Sequence, residues 1–308
     1  EKTTLHAFLK RNAEQHPGVK ALHFMGKEMN YREVYEHAAK MASYLQSLGL
    51  QKGDRVSIML PNTPQAVISY YGILMAGGIV VQTNPLYKER ELEYQLKDSG
   101  STIIICLDLL LPLVSSVKQS ASIKHVIATG IKDYLPFPKN LIYPLIQKKQ
   151  YNTVVKVEQT EDTHPWTKIM KQSNGIFKDV VIDPDKDLAL LQYTGGTTGF
   201  PKGVMLTHYN LVANAQMCKI WINPDEEKQE IVLGVLPFFH VYGMTTVMNY
   251  SMLTVSKMVL LPKFEVDDVL KAIEKQKPTI FPGAPTIYIG LLNHPDLQNY
   301  DLSSIEAC

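Results

Sequence analysis

Cysteine is scarce in this sequence: 308 residues contain three, Cys106, Cys218 and Cys308, with no close pair and no metal-ligand spacing. That argues against a disulfide framework and a cysteine zinc site, and predicts a reducing, cytoplasmic setting. Cys106 closes the apolar run 102–106, where a thiol serves as a small buried hydrophobe. No apolar stretch reaches the ~18 residues of a membrane-spanning helix, so no integral membrane segment is expected. The longest candidate, 66–81, is interrupted by Ser69, Tyr70, Tyr71, Gly72, Gly77 and Gly78 and reads as a buried helix feeding a strand. An excess of one charge is missing too. Lys and Arg number 31 against 30 Asp and Glu, a net charge of +1, which argues against nucleic acid as a partner. Short mixed runs such as 271–277 are solvated helix faces.

What is present is an ordinary globular composition, 45% hydrophobic and 20% charged, long enough for two domains or one large α/β unit. The apolar spacing alternates between helical and strand periods, which predicts an α/β fold. Helices are expected near 5–13, 30–48, 62–76 and 88–98, the second opened by a capping box of Asn30 and Glu33 and the third by Asn62-Thr63-Pro64. Strands are expected at 56–60, 79–82, 102–106, 188–193, 231–236, 258–261 and 279–281, with further helices near 211–221, 244–253, 266–275 and 284–292. Between 133 and 182 the pattern weakens, with Pro136, Pro138 and Pro144 and a polar stretch at 151–162. The expected organisation is a first α/β half over about 1–182, including that irregular excursion, and a second over 183–308.

The chemistry concentrates in Thr194-Gly195-Gly196-Thr197-Thr198-Gly199-Phe200-Pro201-Lys202-Gly203, which follows an apolar strand and is expected to precede an amphipathic helix. Its glycines let backbone N–H groups approach an anion, its threonine hydroxyls can donate to phosphate oxygens, and Lys202 adds a point charge. It is neither a Walker loop nor a dinucleotide fingerprint, because the glycine and lysine spacings differ. The plain alternative is a flexible turn. A second segment, Leu236-Pro237-Phe238-Phe239-His240-Val241-Tyr242-Gly243-Met244, ends an apolar strand on a histidine, and a third runs Phe281-Pro282-Gly283-Ala284-Pro285-Thr286-Ile287-Tyr288.

These three segments resemble the signature motifs of the adenylate-forming, AMP-binding superfamily, and 73–78, 83–87 and 132–138 are most similar to bacterial long-chain fatty-acid–CoA ligases. The resemblance implies layered αβα subdomains of a large N-terminal domain. It implies that Thr194, Gly195, Gly196, Thr197, Thr198, Gly199 and Lys202 hold the ATP phosphates, with Thr197 toward Mg²⁺. It implies that His240 lies at the substrate carboxylate, and that Gly243, Met244, Val247, Gly283 and Ala284 line an acyl pocket, Gly243 leaving room for the chain. His240 and Lys202 are the expected catalytic residues. The implied substrates are a long-chain fatty acid, ATP and CoA, joined through an acyl-adenylate.

Tyr242-Gly243-Met244-Thr245 superficially matches a later family motif, but Thr246 stands where that motif has Glu. The family's Tyr-Gly-x-Thr-Glu and Thr-Gly-Asp segments and its small C-terminal domain are not found in 1–308. With no initiator Met and a stop at an incipient strand, the chain is expected to be an incomplete N-terminal AMP-binding domain, catalytically deficient alone. Two alternatives stay open: an adenylating enzyme for a medium-chain, aryl or amino acid, and a non-catalytic nucleotide- or acyl-binding module. A homodimer and a peripheral membrane contact are also left open, although no amphipathic anchor is evident in the sequence.

Overall fold

The computed structural model describes residues 2–195, 201–222 and 228–308. The chain opens with α1 (Leu5–Gln15) and the hairpin β1 (Lys20–Phe24) and β2 (Lys27–Asn30). Met25 and Gly26 turn that hairpin with φ of 50° and 101°, the left-handed pair that matches strand twist. α2 (Tyr31–Ser47) starts on the expected capping box: Asn30 Oδ1 accepts from Glu33 N at 2.9 Å, and Glu33 Oε2 accepts from Asn30 N at 2.7 Å.

β3 (Arg55–Met59), α3 (Pro64–Met75), β4 (Ile79–Gln82), α4 (Glu89–Ser99), β5 (Ile103–Leu107), α5 (Leu111–Val117) and β6 (His125–Thr129) follow in alternation. α3 is buried along its whole length, as an all-round apolar helix must be. It crosses α2 closely at Gly72, where a Cβ would stand 2.9 Å from the Ala38 carbonyl oxygen. The stretch expected to be irregular contains α6 (Lys139–Tyr151), β7 (Thr163–Pro165) and α7 (Trp166–Gln172). Beyond it come β8 (Leu188–Thr194), β9 (Lys202–Thr207), α8 (His208–Ile222) and β10 (Ile231–Gly234). A helical run then passes through α9 (Val241–Gly243), a π-helical turn at Met244–Asn249 and α10 (Tyr250–Thr254), before β11 (Lys257–Leu260), α11 (Val266–Gln276) and α12 (Pro285–Leu292).

A seven-stranded sheet has the order β7-β6-β5-β3-β4-β8-β9, parallel except for the final β8–β9 pair. A four-stranded sheet has the order β10-β11-β1-β2. Strands from both sides of residue 182 therefore stand in each sheet: β8 and β9 extend the first, while β1 and β2 complete the second. The apolar runs of β4 and β5 are buried on both faces, as parallel strands covered by helices require.

Two expectations are corrected. Residues 279–281 form no strand; Ile280 makes only isolated bridges to Val232 and Ala307. The flanking Pro278 and Pro282 lack the N–H groups a ladder needs. The phosphate segment also precedes a strand, β9, rather than a helix. β9 returns antiparallel along β8 with Thr194 opposite Lys202, and α8 begins only at His208. Among the described residues the loop is thus followed by a strand and not by a helix N-terminus, which leaves backbone amides, hydroxyls and Lys202 as the groups expected to meet an anion.

Candidate active site

Thr194 and Gly195 lie exposed at the top of β8, and Lys202 lies exposed at the start of β9. Gly196, Thr197, Thr198 and Gly199 fall outside the described residues. The two stems nevertheless define a hairpin, and α4 fixes its base. Tyr193 Oη donates to Asp98 Oδ2 at 2.6 Å, and Tyr94 Oη donates to the Pro201 carbonyl at 3.1 Å. Burial, reinforced by the Asp98 carboxylate, pushes the Tyr193 phenol well above its usual range, so it remains a donor. Gly203 stands opposite Tyr193, and a Cβ there would meet the Tyr193 ring at 3.0 Å. The final glycine of the motif thus admits the anchoring ring. A solvent-open cavity of about 730 Å³ runs along α4 to Pro201; its lining includes Lys88, Arg90 and Lys97 but neither His240 nor Gly283.

The histidine segment sits beside this hairpin. Gln192 Nε2 donates to the Phe239 carbonyl at 2.9 Å, joining the end of β8 to the residue before His240. Asn62, at the β3–α3 junction, clamps the same turn from below. Its Nδ2 donates to the carbonyls of Gly234 (3.0 Å) and Leu236 (2.8 Å), and its Oδ1 accepts from Phe238 N (2.9 Å). β10 ends at Gly234, whose carbonyl also accepts from Leu261 N at 3.1 Å, and the Leu236 carbonyl beyond it is satisfied by a side chain instead of a strand. His240 caps α9 with φ −99° and ψ 135°, is exposed, and stacks obliquely on Phe239 with ring centroids 5.1 Å apart.

At Gly243 the described contacts give the glycine a packing reason. It is buried, and a Cβ there would lie 2.6 Å from the Leu236 carbonyl oxygen and 2.7 Å from that of Pro237. Glycine is needed because the helical run packs directly on the backbone before His240. Met244 and Val247 are fully buried in the main core with Phe238. Gly283 and Ala284 are half-buried, and the Tyr288 ring covers Gly283, where a Cβ would meet it at 2.6 Å. Burial pushes the Tyr288 phenol up to about 12, and Tyr288 Oη donates to the Phe281 carbonyl at 2.8 Å. Tyr242 Oη reaches the Gly283 carbonyl at 3.4 Å, so the second and third segments are neighbours.

The sequence profile of the AMP-binding enzyme family matches residues 9–308. The chain belongs to that family. It is 54% identical over 306 residues to a long-chain-fatty-acid–CoA ligase of Bacillus subtilis, covering 99% of this chain and 54% of that protein. It is 35% identical over 287 residues to the enzyme of the same name from Salmonella typhimurium, covering 91% and 50%. The crystal structure of a long-chain-fatty-acid–CoA ligase from Archaeoglobus fulgidus superposes with a TM-score of 0.81 at 26% identity, over 99% of this chain and 56% of that one. The chain spans about half the length of the curated relatives it matches.

Within this AMP-binding frame, sequence reasoning missed Asn62, Gln192, Tyr94 and Asp98. Gln192 was visible as a polar residue in an otherwise apolar strand, and Asn62 as a polar residue ahead of the Thr63 cap. What each one bonds to lies more than forty residues away. Among the described residues no group of three or more His, Cys, Asp or Glu could hold a metal.

Proposed function

We propose that this chain forms the phosphate- and carboxylate-handling part of a ligase that converts a long-chain fatty acid to its CoA thioester. The fatty-acid carboxylate attacks the α-phosphorus of ATP, giving acyl-adenylate and pyrophosphate; the CoA thiol then attacks the acyl carbon and AMP departs. Both nucleophiles come from substrates, so the protein's task is placement and charge compensation. Lys202 and the amides of the 194–203 loop take the departing pyrophosphate, and His240 orients the carboxylate. Mg²⁺ is expected with ATP; Thr197, the residue expected to face it, lies outside the described residues. A cytoplasmic location follows from the sparse, unpaired cysteines.

The observation that carries this reading is the Gln192–Phe239 hydrogen bond, which ties the stem of the phosphate hairpin to the histidine turn. The names of the relatives supply the acid. Acid-dependent ATP–pyrophosphate exchange by the full-length protein tests it, with palmitate, octanoate, benzoate and an amino acid compared. Fastest exchange with palmitate supports the reading. Exchange confined to an aryl or amino acid reassigns the substrate, and ATP binding without exchange for any acid reduces the protein to a binding module. Residues 1–308 alone are expected to exchange poorly.

A further inference from the structure

α6 is built inside out. A helix lying on a globular domain normally turns its apolar stripe to the core, yet the residue of α6 that is fully buried is Gln147, alongside the partly buried Asn140 and Tyr143. Gln147 reaches Asp108 Oδ1 at 3.5 Å. The outward face carries Leu141, Ile142, Leu145 and Ile146, exposed by 66%, 48%, 70% and 51%. Phe137 stands before the helix and Tyr151 at its end, both exposed, so an aromatic side chain flanks the apolar face on either side. From Tyr134 to Val157 there is no Asp or Glu, while Lys139, Lys148, Lys149 and Lys156 all fall there. That local balance of +4 stands in a chain whose total is +1. Lys139 is held by the Met25 carbonyl and Lys156 by Glu158, whereas Lys148 and Lys149 have no ion pair among the described residues.

We propose that α6 is a membrane-docking helix that lays its outward face into the headgroup region of an anionic bilayer. Four apolar side chains supply the partitioning surface, the flanking aromatics suit the interface, and Lys148 and Lys149 meet anionic headgroups. Charge complementarity selects lipid over a second copy of the chain. An isologous pairing of this face would set lysine against lysine with no local acid to offset it. The sequence hides the device because Pro144 interrupts the segment and its polar residues, not its apolar ones, face the protein. The proposal stands apart from the ligase reading, although an acid with a long acyl chain would be most concentrated at that surface.

Flotation of the full-length protein with vesicles tests it, comparing phosphatidylcholine alone with phosphatidylcholine containing phosphatidylglycerol. Binding to the anionic vesicles, weakened by salt, is expected. Leu141→Glu with Leu145→Glu, and separately Lys148→Glu with Lys149→Glu, should each lower the bound fraction by about tenfold or more. The melting temperature should hold, since all four side chains are exposed. Unchanged binding in both variants overturns the proposal. Two other outcomes also overturn it. In one, the native protein ignores vesicles and Leu141→Glu with Leu145→Glu splits a dimer in sedimentation velocity, giving the face to a second copy. In the other, that variant loses thermal stability without affecting vesicle binding, giving the face to another part of the same protein.

Discussion

Gln192 donates its side-chain amide to the main-chain carbonyl of Phe239 across 2.9 Å, and through that bond the strand entering the phosphate loop positions the residue ahead of His240. The segments proposed to meet phosphate and carboxylate are thereby tied together. Replacing Gln192 with Leu removes the donor and leaves the Phe239 carbonyl unpaired, at about 1–3 kcal/mol. The expected result is a fall in the exchange rate larger than any change in the KM for ATP, because misplacement of His240 acts on the reacting geometry. An unaltered exchange rate in Gln192→Leu would remove the coupling.

Asn62 satisfies three main-chain groups of the histidine turn at once, the carbonyls of Gly234 and Leu236 and the amide of Phe238. Asn62→Leu is nearly isosteric and orphans the Leu236 carbonyl and the Phe238 amide, while the Gly234 carbonyl keeps its bond from Leu261 N at 3.1 Å. We expect a loss of roughly 2–5 kcal/mol in urea unfolding, with activity lost in parallel. Asn62→Asp keeps an acceptor for Phe238 N but sets a buried carboxylate oxygen against the Gly234 and Leu236 carbonyls, and should be at least as destabilised. If the two variants unfold at the same urea concentration as the native protein, the clamp has no energetic role.

Gly243→Ala tests whether the glycine serves packing or an acyl channel. A methyl group there meets the Leu236 and Pro237 carbonyl oxygens at 2.6 and 2.7 Å, and neither is a side chain that can swing away. The variant should be destabilised by about 2 kcal/mol or more. Its preference among acids of different chain length should remain that of the native enzyme. A shifted chain-length profile with unchanged stability would instead restore the channel role.

Lys202 is exposed at the start of β9, so Lys202→Ala should leave the melting temperature alone. If Lys202 meets departing pyrophosphate as proposed, loss of its charge should slow exchange by roughly 10²–10³-fold. Lys202→Arg keeps the charge and should recover part of the rate. Equal rates in the native and alanine forms would take Lys202 out of the phosphate site.

Acid should destabilise the fold through a histidine pair at α1 and α8. His208 Nδ1 accepts from Leu5 N at 3.2 Å, which requires the neutral ring, and His6 lies edge-on with ring centroids 5.7 Å apart. Burial holds His208 down at about 3 and His6 down at about 4. An unfolded histidine titrates near 6.5, so below that pH the unfolded chain binds protons that the native state refuses. Their contribution is complete above about pH 6.5 and is lost as the pH falls toward about 4, at roughly 1–3 kcal/mol per histidine. Urea unfolding of the native protein and of His208→Gln across that window should show a shallower pH slope in the variant.

Much of the local structure was legible from residues alone. Asn30 with Glu33 and Thr63 with Pro64 announce helix starts because caps bond within three residues. The apolar runs of β3, β4, β5 and β8 announce strands, because such runs are properties of the chain's own order. Pairing is different. That β1 lies between β11 and β2, or that β9 closes β8 into an antiparallel hairpin, depends on contacts between distant segments that no short window contains. The same holds for function: the sequence by itself determined which segments are proposed to hold phosphate and to meet a carboxylate. Only the tertiary structure decided that Gln192 joins them, that Gly243 serves backbone packing, and that α6 turns its leucines outward, since each is set by what lies across the fold.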